Sequence, residues 1–89
     1  MARVVLSWLA RQDLENLWLH IAAVDLAAAD RVLGQIERRI GTLSEYPEMA
    51  PLRLDVAPDM RALLVERWLV LYRLESGDVQ IGRVRGWRA

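Results

Sequence analysis

All three prolines of the chain, Pro47, Pro51 and Pro58, fall in one aperiodic segment, residues 45–60, and the hydrophobic pattern differs on its two sides. Proline offers no amide to a helix or an inner strand, so this stretch predicts a long connecting loop lying across the fold. Before it, apolar residues recur at helical spacing; after it, they come in short runs separated by turn residues. Such a division predicts segregated elements, helices first and an antiparallel sheet after them.

In the first part, residues 2–6 form a short apolar run with two valines that reads as a strand, Arg3 notwithstanding. Ser7 is placed to cap a helix with its hydroxyl. Leu14, Leu17, Trp18 and Ile21 then recur at helical spacing, with Arg11, Asp13, Glu15 and Asn16 mostly on the other side, so the first helix is expected over residues 8–24. Asp25 is the next cap. Ala29, Val32, Leu33, Ile36, Ile40 and Leu43 continue as a stripe to about Tyr46, where Pro47 ends the second helix. With almost no residues between them, the two helices should fold back as a hairpin. Gly34 and Gly41 lie seven apart on the second helix and predict either a close helix-on-helix approach or a docking surface of bare backbone.

After the loop, residues 61–65, 68–74 and 79–85 read as strands separated by Glu66-Arg67 and by Glu75-Ser76-Gly77-Asp78. The run Trp68-Leu69-Val70-Leu71-Tyr72 is apolar on both faces, which predicts a central strand covered by the helices on one side. The expected fold is α+β, a helical hairpin packed on an antiparallel β-sheet, in one domain over residues 1–89.

The chain has 89 residues and no cysteine. A domain of this size buries roughly 60–65% of its unfolded surface, which leaves its stability marginal without a partner. Disulfide frameworks, thiolate metal sites and thiol nucleophiles are excluded, and a reducing cytoplasm fits this usage. No signal peptide and no run of membrane-spanning length is read, so a cytoplasmic protein without a membrane partner is expected.

The formal net charge of zero conceals an asymmetry. Residues 1–60 hold six arginines against nine acids, and residues 61–89 hold six arginines against three. The basic end points to an anionic partner, either nucleic acid, an enzyme acting on it, or an acidic protein segment. All twelve basic residues are arginines, whose planar fork suits bidentate contacts to carboxylate and phosphate.

Catalytic constellations are thin. His20, the one histidine, has no second imidazole beside it and reads as structural; Ser7, Ser44 and Ser76 occupy cap, helix-end and turn positions. No phosphate-binding glycine loop or paired-carboxylate site is present, and no catalytic residue, cofactor or metal is assigned. The arginines remain. Simple alternation along the last strand places Val79, Ile81, Arg83 and Arg85 on one face, with Gln80, Gly82 and Val84 on the other. Arg61, Arg67 and Arg73 on neighbouring strands and Arg88 beyond the end predict a guanidinium cluster able to bind phosphates or clamp carboxylates. The structural alternative is a solvated face whose arginines pair with Glu66, Glu75 or Asp78. Trp87 is placed either to stack on a base or fill a partner pocket, or simply to cover the sheet.

In order along the chain, Asp13-Leu14-Glu15-Asn16-Leu17-Trp18 with Ile21, Ala28-Ala29-Asp30-Arg31-Val32-Leu33 with Ile36-Glu37 and Ile40, residues 43–47 with Met49, Met60-Arg61, Leu71-Tyr72-Arg73, and Ile81 with Arg83-Val84 resemble the ParE-type toxins of bacterial type II toxin–antitoxin modules, within the RelE/ParE superfamily. The resemblance implies a β-α-α-β-β-β fold, a ParD-like antitoxin that wraps the toxin in a hetero-oligomer, and DNA gyrase as target, held with cleaved DNA by a poison that is not itself an enzyme. It implies target contacts at Arg83, Arg85, Trp87 and Arg88 with Arg61 and Arg73 behind them, and antitoxin contacts drawn from Leu14, Leu17, Trp18, Ile21 and Ile36, most of which the helical stripes assign to the core. RelE-like relatives cleave messenger RNA on the ribosome instead. This chain has no lysine and only Tyr46 and Tyr72, and a guanidinium stays protonated, so a general base is hard to nominate. Members of the family commonly end the last strand with Arg-Val-Leu-His, whereas Arg83-Val84 is followed here by Arg85-Gly86-Trp87-Arg88-Ala89. An altered toxin, or a protein that only binds its antitoxin, is therefore a further expectation.

Overall fold

The computed structural model describes residues 1–86. The elements are β1 (Val4–Leu6), α1 (Trp8–Ala22), α2 (Leu26–Thr42), β2 (Arg61–Val65), β3 (Trp68–Glu75) and β4 (Asp78–Gly86). Both helix caps form as their sequence signals require: the Ser7 hydroxyl accepts from the Ala10 amide at 3.0 Å, and the Asp25 carboxylate accepts from the Ala28 amide at 3.1 Å. The second helix stops at Thr42, short of Tyr46. Its last turn tightens, with Leu43 donating to the Ile40 carbonyl and Ser44 to the Gly41 carbonyl. Ser44 is drawn off the helix axis by the chain start, where its carbonyl takes the Ala2 amide and its hydroxyl donates to the Ala2 carbonyl.

The strands form one sheet in the order β1-β4-β3-β2. β1 runs parallel to β4 at one edge, and β2, β3 and β4 form the antiparallel meander. Two-residue turns join the meander. Ser76 at φ 53 and Gly77 at φ 82 take left-handed geometry in the β3–β4 turn, matching the twist of the flanking strands, and Glu66 takes φ 56 in the β2–β3 turn.

The core lies between the helices and one sheet face. Leu63, Val65, Val70, Tyr72, Val79, Ile81 and Val84 from the strands pack with Ala10, Leu17, Val32, Ile36, Ile40 and Leu43. The buried Tyr72 hydroxyl donates to the Pro47 carbonyl at 2.8 Å, tying the proline-rich loop to the core. The same loop covers part of the β2 edge, because Leu52 bridges Arg61 and the Ala62 amide donates to the Pro51 carbonyl at 3.0 Å.

Simple alternation fails in β4. Leu71 faces Arg83 while Tyr72 faces Ile81, so Gly82 is an extra residue in the strand. The bulge reverses the phase: Val79 and Ile81 are buried, and so is Val84. Arg83 and Arg85 still share a face, but it is the one opposite Val79 and Ile81. The two helix glycines mark no close approach, since a methyl group on Gly41 would meet nothing within 4 Å and one on Gly34 would meet only the Arg38 side chain at 3.4 Å.

Candidate functional site

Among the described residues, no helix or strand packs over the sheet face turned away from the helices. Cross-strand pairing aligns Leu64, Leu69 and Arg85 in one row and Ala62, Leu71 and Arg83 in the next, with Arg73 beside Gln80 in a third. Leu64 is 48% exposed, so apolar and guanidinium groups share a solvent-facing surface.

Arg83 leans over the β4 edge toward α1. Asp13 accepts from its Nε at 2.8 Å and its Nη2 at 3.1 Å, and from the Val84 amide at 2.9 Å. This closes the part of the β4 edge that the short β1 leaves open. Burial pushes the Asp13 carboxyl pKa up, but the hydrogen bonds from Arg83 and the Val84 amide, with the charges of Arg83 and Arg85, outweigh it and hold it below the ordinary carboxylate range. The same hydrogen bond raises the Arg83 pKa further. Reading the sequence placed Asp13 on the solvent side of its helix. Its side chain is only 14% exposed, and the signal for its role was its position at the head of the Asp13–Trp18 motif.

The other arginines separate. Arg73 pairs with Asp59 at 3.2 Å, and both side chains are well exposed. Arg61 points into the proline-rich loop and donates to the carbonyls of Ala50 at 2.7 Å and Glu48 at 3.1 Å. Arg67 sits in the β2–β3 turn. Among the described residues, the expected partners Glu66 and Asp78 pair instead with Arg31 and Arg3. Trp87 and Arg88 lie outside the described residues.

A second surface lies on the helical hairpin. Leu14, Trp18, Leu19 and Leu33 line an apolar groove of about 480 Å³ whose rim carries Arg11, Glu15 and Glu37. The Trp18 indole donates to Asp30 at 2.9 Å, which fixes the ring across the two helices. Of the five residues expected to meet an antitoxin, Leu14 and Trp18 line this groove. Leu17 and Ile36 belong to the core at 4% and 0% exposure, and Ile21 faces a different cleft. Leu19 falls outside the stripe of the first helix, and Leu33, read as part of the second helix's buried stripe, lies at its margin and lines the groove. His20 is exposed at the rim of that other cleft, outside the core.

Among the described residues no cluster of histidine, aspartate and glutamate is arranged to hold a metal ion, and no helix is long and apolar enough to cross a membrane.

Known proteins share this arrangement. The chain superimposes on the chromosomal ParDE toxin–antitoxin system from P. aeruginosa with a TM-score of 0.87, covering 99% of this chain and 98% of that one at 19% identity, a likeness of fold. Against the RelBE2 toxin–antitoxin complex from Mycobacterium tuberculosis the TM-score is 0.64 at 29% identity, with 96% of each chain covered. Toxin ParE3 of Caulobacter vibrioides is 33% identical over 87 residues, 94% of this chain and 85% of that protein. The family profile of the ParE toxin of type II toxin–antitoxin systems matches residues 4–87, and the chain belongs to that family.

Proposed function

We propose that this toxin acts by binding rather than by catalysis, holding DNA gyrase in its cleaved-DNA state, and that a ParD-like antitoxin neutralises it. The observation that carries this reading is the outer sheet face, free of other elements among the described residues, where Leu64, Leu69 and Leu71 stand beside Arg83 and Arg85. Leucine and guanidinium together form a surface for a protein or a phosphate backbone. They form no acid–base pair, because arginine keeps its proton in any accessible pH range. Membership of the ParE family directs the target toward gyrase.

The hairpin groove supports the antitoxin half of the proposal. Its apolar floor and charged rim of Arg11, Glu15 and Glu37 suit the apolar stripe of an amphipathic helix. Leu14 and Trp18 supply its contacts; Leu17, Ile36 and Ile21 act beneath or beside them.

The likeness to the RelBE2 complex favours ribosome-dependent cleavage of messenger RNA as a second reading. The two separate in parallel reactions. In one, the protein meets gyrase, supercoiled plasmid and ATP, with linear DNA scored after detergent and protease; in the other, it meets a ribosome bound to messenger RNA. Linear DNA with intact message is the expected result. Cleaved message without linear DNA would replace the gyrase reading, and activity in neither would leave a protein that only binds its antitoxin.

A further inference from the structure

At the end of the sheet, where the β2–β3 turn meets the helical hairpin, lies a cleft of about 920 Å³ that is separate from the hairpin groove and shares only Arg85 with the outer sheet face. Ile21, Val32 and Trp68 give it an apolar wall. Its charged residues are Arg31, Arg67, Arg85 and Glu66, three guanidiniums against one carboxylate, so its potential is positive.

The groups are unequally committed. Glu66 holds Arg31 at 3.1 Å, while among the described residues Arg67 and Arg85 have no acidic partner. Glu66 also sits at φ 56, a left-handed geometry that glycine adopts more cheaply, yet the position carries the carboxylate that restrains Arg31. Across the sheet Trp68 pairs with Gly86, and a methyl group there would stand 3.4 Å from the indole. Position 86 thus sets bare backbone, with no side chain, beside the half-buried indole at the cleft wall.

From this arrangement we infer that the cleft binds a nucleotide, with its phosphates on Arg67 and Arg85 and its base against the Trp68 indole. Guanidinium forks meet phosphate oxygens in paired hydrogen bonds, and an indole face accepts any base by stacking. The volume decides between occupants of this chemistry: about 920 Å³ lies within the roughly 300–1,000 Å³ of small-molecule sites and exceeds what an inorganic anion fills. Phosphate binding puts Arg31 in competition between Glu66 and the ligand, so Glu66 limits affinity. This inference goes beyond the gyrase reading; the two share Arg85, whereas Arg67, Glu66 and Trp68 belong to the cleft alone, so variants at those three residues test it separately.

The test is isothermal titration calorimetry of the full chain with ATP, tripolyphosphate, adenosine and a glutamate-rich peptide at low ionic strength, with circular dichroism confirming that each variant is folded. ATP is expected to bind at one site per chain, at least fivefold more tightly than tripolyphosphate, with adenosine weaker still. Arg67→Ala should weaken ATP at least fivefold, Glu66→Gln should tighten it, and Trp68→Leu should abolish the advantage of ATP over tripolyphosphate. Arg67 and Glu66 lie in an exposed turn, so those two variants keep the test valid if Trp68→Leu fails to fold. Unchanged ATP affinity in Arg67→Ala, or tighter binding of the acidic peptide than of ATP, would overturn the inference.

Discussion

The two faces of the sheet are built from the same strands with opposite consequences. On the inner face Val70, Tyr72, Val79 and Ile81 are at most 1% exposed beneath the helices. On the outer face, one residue away along each strand, Leu64, Leu69 and Leu71 of β2 and β3 lie beside Arg83 and Arg85 of β4, and among the described residues no helix or strand packs over them. The core and the proposed recognition surface are therefore separated by a single step of strand phase. In β4 that phase is set by the Gly82 bulge, without which Val84 would leave the core and the arginines would enter it. Ser7 anchors the bulge by donating to the Gly82 carbonyl at 2.7 Å.

Substitutions on the inner face should cost the most stability. Ile36→Ala removes a side chain with 0% exposure, and the lost transfer energy and residual cavity should cost about 2–5 kcal/mol in chemical denaturation. A smaller loss would mean that the helix hairpin does not hold the sheet as described. Next is the edge latch. Asp13→Ala leaves the Val84 amide without its acceptor and should cost roughly 1–3 kcal/mol.

Asp13 also makes stability depend on acid. Its folded pKa lies below the unfolded value of about 3.9, so its contribution is complete above that value and is lost as pH falls through the lower folded pKa. Melting curves of the protein and of Asp13→Asn should therefore differ at neutral pH and converge toward strong acid. A constant separation at every pH would remove the charge-assisted latch from the account.

On the outer side the expected stability effects shrink. Leu64→Ser replaces a half-exposed side chain and should change stability by no more than about 0.5 kcal/mol while weakening gyrase poisoning. Trp18→Ala should lower the affinity for a ParD-like antitoxin at least tenfold, about 1.4 kcal/mol, and leave poisoning intact. Pull-down and gyrase reactions on the same preparation would show both; joint loss would mean that groove and sheet face are not separate.

The element order, both helix caps, the helical hairpin and the antiparallel meander were legible because each rests on a local rule: a capping side chain, a 3.6-residue stripe, a two-residue turn. The face carrying Arg83 was not. Alternation counts residues evenly, and one extra residue at Gly82 inverts everything beyond it; an interior glycine is the only trace of this in the strand. The roles of Arg61 and Asp13 were hidden for a different reason, since their partners lie 11 and 70 residues away and no periodicity reports such contacts. The hairpin groove was half legible: Leu14 and Trp18 were read from the stripe, while Leu19 lies outside it and Leu33, read as a stripe residue, turns to the groove. Trp87 and Arg88 lie beyond the described residues, so their proposed target contacts rest on the family resemblance.

The most direct test of the division between the faces is the gyrase cleavage reaction run with the protein and with Leu64→Ser/Arg85→Ala, each checked first for an unchanged melting temperature. The protein should yield linear DNA, and the folded variant should need at least a tenfold higher concentration for the same yield. Equal poisoning by both would contradict that division and move the target contact off the outer face of the sheet.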